Sequence, residues 1–477
     1  MKEKKVNSND SQSLRGYLNK LKKEIPQGLV TITKKVNPDF EVSAILKHLE
    51  DLNKFPAVLF ENISNLKGQY NGRLAINIGA DRKRLALAIG LSPEDYKSEL
   101  TIESSRRASL AKDVNIVKSE DAPVREVIFK GKDIDLRNYP MLKYHELDGG
   151  NFFTSPVVAK DPLTGIYNSS IHRLMYRDKD ETGINMSPFH LYSIHRKNER
   201  RNKPTPVAVV LGHHPAFFIA SDMRVPFESD ELRITGGLLG EALKMVPSET
   251  WGDELLVPSE AEMILEGEIL PNRLEAEGPF GEWTGYDRGQ GQSQIFKVKA
   301  ITQRKDPIIV SVFSAHREHI VMTIGWEIEA LNRVKSAVPN VKAVSLPANG
   351  LGVTCYISIE KSTDGEPKLA ALAAASVGFI KTVVVVDSDI DVFNQNEVMW
   401  ALAVRFQAHR DADIVREVQG STADPSSETY NTHSTMLIDA TEPMDVLNPK
   451  RVTIPTEVLE KIKLKDYISP DILKSIE

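Results

Sequence analysis

Two glutamates on one short loop have the spacing for acid–base chemistry. Glu277 and Glu282 bound the run Glu-Gly-Pro-Phe-Gly-Glu, in which Pro279 fixes its own φ while Gly278 and Gly281 permit backbone angles that a Cβ would forbid. Carboxylates held close together in a cleft shift each other's pKa, so one can stay protonated while the other is ionised. The pattern therefore indicates an acid–base site. A solvated turn with two surface glutamates is the alternative interpretation.

An arginine within an apolar run is a candidate partner for these acids. Residues 168–175, Asn-Ser-Ser-Ile-His-Arg-Leu-Met, are typical of a strand that places Arg173 among apolar neighbours. A buried guanidinium needs an anionic partner, because an unpaired charge is costly in an apolar interior. Glu277 or Glu282 would supply that partner, so the three side chains form one hypothetical catalytic group.

Taken together, the two segments resemble the UbiD-like decarboxylases, which use prenylated FMN. An Asn-x-x-x-x-Arg strand followed far downstream by Glu-Gly-Pro-Phe-Gly-Glu carries the resemblance, which extends over roughly residues 20 to 445. Further matching segments lie at residues 190, 239–241, 257–258, 265–268 and 386–393. The resemblance implies an α/β multi-domain protein: an N-terminal α/β domain, a central FMN-binding split β-barrel and a C-terminal α/β oligomerisation domain.

The resemblance also implies a reaction. It is the reversible non-oxidative decarboxylation of an aromatic, heteroaromatic or α,β-unsaturated carboxylic acid, for which prenylated FMN supplies an electron sink. In this interpretation Glu282 is the proton donor, while Arg173 and Glu277 hold and orient it. A flavin prenyltransferase would supply the cofactor.

A metal site is implied at Asn168, His190 and Glu241, which match the family's ligand positions. An amide oxygen, an imidazole and a carboxylate suit a divalent ion such as Mn²⁺ or Mg²⁺. In the family this ion, with a nearby K⁺, ties the cofactor phosphate to the protein. The alternative is a turn asparagine, an exposed histidine and a helix glutamate. Further cofactor contacts are expected from Ser170, Ile171, His172, Arg173 and Phe189.

Two residues further along are candidate substrate contacts. Arg317 could bind an acid or phenol group, and His319 could hydrogen-bond a ring substituent. Certain relatives carry a lysine near positions 373–379 that helps to hold the cofactor phosphate. Here Lys368 and Lys381 are the nearby lysines, and the sequence does not choose between them.

Element patterns divide the chain into four parts. Alternating helical and strand patterns predict an N-terminal α/β domain over residues 1–120. Short strands with Gly and Pro punctuation predict a barrel or a sandwich over 121–322, and the resemblance implies the split barrel. A linking helix is predicted over 323–340, and a C-terminal α/β domain over 341–477.

Composition narrows the class of protein. The 477 residues carry a net charge of −6 without a sustained basic run, which disfavours a nucleic-acid or anionic-membrane role. The single cysteine, Cys355, lies in a predicted core strand and is expected to be a buried structural thiol. The lack of disulfides, of an N-terminal apolar stretch and of any run long enough to span a bilayer favours the cytoplasm.

Two other functions remain open at this point. A conventional FMN-dependent oxidoreductase could use the same barrel, and a noncatalytic assembly subunit could keep a vestigial site. The expected partners are a small-molecule carboxylic acid, CO₂ and further copies of the chain, as a homodimer or higher homo-oligomer.

Overall fold

The structure, a computed structural model, describes residues 11–322, 324–427, 432–445, 451–470 and 472–473. Thr323, the predicted start of the linking helix, lies outside these ranges, as do the outermost residues of the predicted N- and C-terminal domains.

The N-terminal part is an α/β layer whose strands pack against helices. Its elements are α1 (Leu14–Glu24), β1 (Leu29–Ile32), α2 (Glu41–Asp51), β2 (Ala57–Ser64), β3 (Tyr70–Ile76), α3 (Arg82–Ala88) and α4 (Ser98–Ala108). Strand β2 pairs parallel with β1 and antiparallel with β3. Helix α1 begins where the Ser13 hydroxyl accepts a hydrogen bond from the Gly16 N–H, and it buries Leu14, Leu18 and Leu21 at helical spacing.

The central part is a closed barrel with helices packed around it. Its elements are β4 (Asn115–Ile116), β5 (Val127–Lys130), β6 (Phe152–Lys160), β7 (Tyr167–Asp178), β8 (Glu181–Ile184), α5 (His190–Glu199), β9 (Thr205–Val210), α6 (Pro215–Asp222), α7 (Glu231–Leu239), β10 (Lys244–Ser248), β11 (Gly252–Pro258), β12 (Met263–Glu277), β13 (Gly291–Gln303) and β14 (Ile308–Val310).

Six antiparallel strands close this barrel in the order β12-β9-β6-β7-β8-β13, and β13 pairs back onto β12. Strand β5 adds to the free side of β13, and β4, β10 and β11 form a separate three-stranded sheet. Large side chains fill the barrel interior, among them Phe153, Leu174 and Phe296. Closure pairs the backbone groups along both edges, so the barrel is a rigid frame for the residues at its mouth.

The C-terminal part is a second α/β layer. Its elements are α8 (Arg317–Val321), α9 (Ile324–Ala337), β15 (Val341–Ser345), β16 (Thr354–Ile359), α10 (Glu366–Ala375), β17 (Thr382–Asp387), α11 (Gln395–Val404), α12 (Ala408–Asp411), β18 (Ala412–Gln419), β19 (Thr432–Ala440) and α13 (Thr456–Lys461).

Its sheet has the order β15-β16-β17-β19-β18, with β16, β17 and β19 mutually parallel. The prediction of a buried thiol is confirmed, because Cys355 lies on β16 with no exposed surface. The predicted fold class is also confirmed. Helix α9 lies within the segment predicted to link the barrel to the C-terminal domain.

Two strands depart from the predicted domain limits at residues 120 and 322. Strand β4 precedes residue 120 but pairs with β10 of the central part. Strand β14 follows the barrel in sequence but pairs parallel with β3, so it completes the N-terminal sheet. Each of the first two domains therefore contains a strand from the sequence range predicted for the other. Among the helices of the described ranges, none is both long and apolar enough to cross a membrane.

Candidate functional site

A cavity of about 600 Å³ lies between the barrel and the C-terminal domain. Strand β7 and the loop after β12 contribute Arg173 and Glu282 to its wall. Helix α9 contributes Trp326 and Arg333 from the other side. The cavity is therefore built from residues far apart in sequence.

Arg173 forms a hydrogen-bonded network with the two loop acids. Its Nε and Nη2 donate to Oε1 and Oε2 of Glu277, each at 2.8 Å, and its Nη1 donates to Oε1 of Glu282 at 2.5 Å. The guanidinium also lies over the ring of Phe280, 4.9 Å from its centroid. Arg173 and Glu277 are both buried. The three side chains grouped from the sequence are thus in direct contact.

The two glutamates differ in what surrounds them. Glu277 accepts both Arg173 hydrogen bonds and a third, at 3.4 Å, from Nδ2 of Asn185. Within the described residues, the Glu282 side chain accepts only the bond from Arg173. Burial raises the pKa of Glu282, although the positive charge of Arg173 opposes this shift. Glu282 is therefore the carboxyl that can remain protonated.

Backbone contacts fix the loop that carries Glu282. The Glu282 N–H donates to the Tyr286 carbonyl at 2.9 Å, and the Gly281 N–H donates to Oδ1 of Asp148 at 3.2 Å. A Cβ on Gly281 would lie 2.6 Å from Nδ1 of His145, so only glycine allows this close approach. The loop has one defined shape, which keeps Glu282 at the cavity.

A second polar cluster lines the same cavity. Asn168 lies on β7, His190 begins α5 and Glu231 begins α7. Oε1 of Glu231 accepts a hydrogen bond from Asn168 Nδ2 at 3.1 Å and lies 3.5 Å from His190 Nδ1. Oε2 of Glu231 accepts from the Ser169 N–H at 3.2 Å. Burial raises the pKa of Glu231, with smaller opposing effects from His190 and Asn168.

The structure does not bring Glu241 to this cluster. Glu241 accepts a hydrogen bond from the Ser11 hydroxyl at 2.5 Å and does not line the cavity. It lies beyond the C-terminal end of α7, whereas Glu231 begins that helix, and nine residues of helix separate the two ends by roughly 13 Å. By position, Glu231 rather than Glu241 is the carboxylate beside Asn168 and His190, so we expect Glu231 to be the ligand if an ion binds there. Nearby, Gly237 lets α7 pack on α4, since a Cβ there would lie 2.3 Å from the Arg107 carbonyl oxygen.

The remaining predicted cofactor contacts, Ser170, Ile171, His172 and Phe189, all line the cavity. The Ser170 hydroxyl lies 3.1 Å from Asn168 Oδ1 and 2.8 Å from His172 Nε2. Burial lowers the pKa of His172 to about 4, so this imidazole is neutral at physiological pH.

The two predicted substrate contacts separate in the structure. His319 lines the cavity, but Arg317 faces a second cavity that also contains Lys97. Arg317 donates through Nε to the Ala80 carbonyl at 3.1 Å and lies over the ring of Phe55. Residues two apart on a helix point in different directions, which explains why one side chain reaches the cavity and the other does not.

Among the charged residues that line the cavity, sequence reasoning missed four besides Glu231, namely Asp222, Arg224, Glu329 and Arg333. The position of Glu231 in the first turn of α7 could indicate either a ligand or an ordinary helix-stabilising acid. Glu231 follows Asp230, whose side chain caps α7, and acids in the first helical turn are common for electrostatic reasons alone. Neither Lys368 nor Lys381 lines the cavity.

The residues present fit both a divalent cation and an anionic cofactor. The described part of the chain contains no group of three or more His, Cys, Asp or Glu side chains placed to hold a metal, but this cluster supplies two such groups and the Asn168 amide. Oδ2 of Asp222 is buried without a hydrogen-bond partner among the described residues, and burial raises the pKa of Asp222 to about 8. The positive charge of Arg224 opposes this shift in part, and a bound cation would stabilise the carboxylate further as an anion.

We expect Glu231→Gln to weaken Mn²⁺ binding and Glu241→Gln to leave it unchanged. The first change removes a negative ligand oxygen from the cavity, at a cost of at least ~10-fold in affinity, since even outer-shell changes reach that size. Titration of the apoprotein with Mn²⁺, followed by electron paramagnetic resonance, measures both affinities. Equal Mn²⁺ affinity in the two variants would contradict the choice of Glu231 over Glu241 as the carboxylate ligand.

Comparisons with known proteins give one consistent result. Models of the 3-octaprenyl-4-hydroxybenzoate carboxy-lyase N-terminal, Rift-related and C-terminal domains match residues 21–101, 115–317 and 319–440. A phenolic acid decarboxylase of Sedimentibacter hydroxybenzoicus is 31% identical over 451 residues, 91% of this chain and 92% of that protein. An anhydromevalonate phosphate decarboxylase of Methanosarcina mazei is 33% identical over 438 residues, 90% of this chain and 96% of that protein.

Solved structures agree with the sequence comparisons. The UbiD-class enzyme HmfF from Pelotomaculum thermopropionicum, in complex with FMN, superposes with a TM-score of 0.88 at 35% identity, covering 96% of this chain and 100% of that one. Vanillic acid decarboxylase of Sedimentibacter hydroxybenzoicus in closed form gives a TM-score of 0.82 at 29% identity, covering 96% and 99%. With the Arg173 network in the cavity, these matches establish that the chain belongs to the UbiD family of carboxy-lyases.

Proposed function

We propose that this chain catalyses the reversible non-oxidative decarboxylation of an aromatic, heteroaromatic or α,β-unsaturated carboxylic acid, with prenylated FMN as cofactor and Glu282 as proton donor. The observation that carries the proposal is the asymmetric network of Arg173, which binds both oxygens of Glu277 but only one of Glu282. Hydride transfer has no evident need for such a network, which disfavours the oxidoreductase alternative. A noncatalytic subunit has no need to keep it intact.

The cofactor assignment is supported by the cavity and by the relatives. HmfF has been solved with FMN and, in an evolved dimeric form, with prenylated FMN. The cavity of about 600 Å³ lies within the range of cofactor sites. When bound, prenylated FMN supplies an electron sink for the electron pair that departing CO₂ leaves behind.

Glu282 is suited to protonate the carbon that loses CO₂. Burial keeps its carboxyl protonated to higher pH than an ordinary glutamic acid, and Arg173 orients it through one oxygen. Once the proton has been transferred, the Arg173 guanidinium stabilises the carboxylate that remains. Glu277 keeps Arg173 in position with two hydrogen bonds. In the carboxylation direction, the same Glu282 carboxylate is the base.

His319 is the best-placed neutral donor for a ring substituent of the substrate. Burial lowers its pKa to about 4, so the ring is uncharged at physiological pH. Its Nδ1 accepts from the Ala315 N–H at 3.5 Å, which leaves the proton on Nε2. Phe280 and Trp283 add aromatic surface to the same cavity. This combination favours a flat, largely apolar acid that carries one hydrogen-bond acceptor.

Asn168, His190 and Glu231 would hold Mn²⁺ or Mg²⁺, and K⁺ would bind nearby. The role of these ions is to neutralise the cofactor phosphate in a partly buried site. Their oxygen and imidazole donors match the preferences of such ions. The ions would therefore act on cofactor binding rather than on the reacting carbon.

The proposed function also includes a source of the cofactor, a cellular compartment and an oligomeric state. A flavin prenyltransferase would supply the cofactor, and the chain would act in the cytoplasm. A homodimer or higher homo-oligomer would form through the C-terminal domain, where Leu369, Met399 and Val404 are exposed apolar side chains. Apolar surface of this kind is typical of association faces.

We expect Glu282→Gln to bind cofactor but to turn over at least ~10²-fold more slowly, because an amide keeps the shape of the side chain and cannot donate the proton. The decarboxylation rate of the holoenzyme is the measurement. In D₂O the parent should place one deuterium on the carbon that lost CO₂. Normal turnover in Glu282→Gln, or product without solvent deuterium, would remove Glu282 from the proton-donor role.

The rate of decarboxylation should fall as pH rises through the raised pKa of Glu282. Only the protonated carboxyl can donate, so the decline should occur at higher pH than a solvated glutamic acid would give. A kcat profile against pH for the parent measures this, and Glu282→Gln should lack the decline. A parent rate that is independent of pH wherever the protein stays folded would contradict the assignment.

Protein made without a flavin prenyltransferase should be inactive, and co-expression of that enzyme should restore decarboxylation. The reason is that plain FMN lacks the added ring that provides the electron sink. Mass spectrometry and absorption spectra of the bound flavin identify which form is present. Full activity with plain FMN would instead support the oxidoreductase alternative.

A further inference from the structure

We propose that Arg224 is the side chain that binds the phosphate of the flavin, so that it selects FMN-type cofactors over flavins without a phosphate. This inference rests on the proposed flavin-dependent function and adds a residue to it. No lysine of the C-terminal domain is needed in this arrangement.

Arg224 is held rigidly at the junction of the barrel and the C-terminal domain. Its guanidinium lies 4.3 Å from the ring centroid of Trp326, 4.7 Å from that of Phe379 and 5.1 Å from that of Phe189. Its Nη1 donates to the Val377 carbonyl at 3.1 Å. Aromatic faces and one carbonyl fix the guanidinium while leaving its other donors available.

Among the described residues, no carboxylate forms an ion pair with Arg224 within 4 Å, although Asp222 and Glu329 are near enough to favour its charged form. The described residues also offer no hydrogen-bond acceptor to its Nε or Nη2, although the side chain lines the cavity. Burial lowers the pKa of Arg224 to about 10, which still leaves it charged at physiological pH. A buried guanidinium with free donors and no direct ion pair is only partly compensated, so the site is suited to an anion brought by a ligand.

The other cationic candidates are already engaged. Arg173 is bound by two glutamates, and Arg333 donates to Glu329 at 2.7 Å and also to the Ser376 carbonyl. Lys368 and Lys381 form ion pairs with Asp413 and Asp424, at 2.8 and 2.7 Å. Within the described part of the chain, Arg224 is therefore the arginine of this cavity that forms no direct ion pair and keeps donors for a ligand.

The position of Arg224 fits a phosphate in particular. Phe189, which stacks on Arg224, directly precedes His190 of the proposed cation cluster. A guanidinium and a divalent ion placed side by side can share the oxygens of one dianionic phosphate. Because Arg224 presents a planar fork of N–H groups, it suits phosphate geometry better than a point charge does.

The test is flavin binding, which needs neither turnover nor substrate. Apoprotein with Mn²⁺ is titrated with FMN and with riboflavin, which shares the ring and ribityl chain but lacks the phosphate, and each Kd is measured by flavin fluorescence. We expect Arg224→Met to weaken FMN binding by about 10- to 100-fold, the range of a charge-assisted hydrogen bond, and to leave riboflavin binding unchanged.

Two further variants serve as controls. Arg317→Met removes another arginine that stacks on an aromatic ring and bonds a carbonyl, but it faces the second cavity and should not change the FMN-to-riboflavin ratio. Arg224→Lys keeps the charge without the fork, so it should lose part of the FMN affinity and none of the riboflavin affinity. If Arg224→Met fails to fold, as judged by thermal unfolding, the lysine variant decides the question.

The outcomes separate this inference from the function on which it rests. A parent protein that binds neither flavin contradicts both. A parent that binds FMN and riboflavin equally well overturns the inference alone. So does an Arg224 variant that loses affinity for both flavins equally, because Arg224 would then only join the two domains, and so does one that loses affinity for neither.

Discussion

The charge of Arg173 is the constraint on which the site depends. A guanidinium inside the barrel wall is stable only if anionic oxygens meet it, and two acids from one loop do so. Glu277 binds one side of the guanidinium with both of its oxygens, and Glu282 accepts a single bond from the other side. Burial raises the pKa of Glu282. The same guanidinium therefore pairs its charge in the barrel wall and gives the two carboxyls different surroundings.

Other charged side chains of the cavity also lack a full set of hydrogen-bond or ion-pair partners within the described part of the protein. Burial raises the pKa values of Glu231 and Asp222, and Arg224 faces the cavity without a direct ion pair among the described residues. Such groups are unfavourable in the empty site and become favourable when ligands of opposite charge bind. Part of the stability of the loaded enzyme is therefore expected to come from the cofactor and its ions.

The sequence predicted contacts in the site correctly where the chemistry of one residue requires a particular partner. Arg173 in an apolar strand required acids, and the Glu-Gly-Pro-Phe-Gly-Glu loop was the place to find them, so this group was predictable. Glu231 was not, because an acid in a first helical turn has an ordinary electrostatic explanation. The position of Arg317, outside the cavity that His319 lines, was unpredictable for a different reason. Its direction relative to His319 depends on where α8 sits, and the short segment alone does not specify that position.

The fold class was predictable from element patterns, but the pairing of β14 was not, since three apolar residues carry no information on their partner strand. The pairing of β14 with β3 affects when the N-terminal sheet can be completed during translation. Strand β3 keeps an open edge until Val310 has left the ribosome, after the whole barrel has been made. The N-terminal sheet therefore receives its last strand only after all the barrel strands have been synthesised.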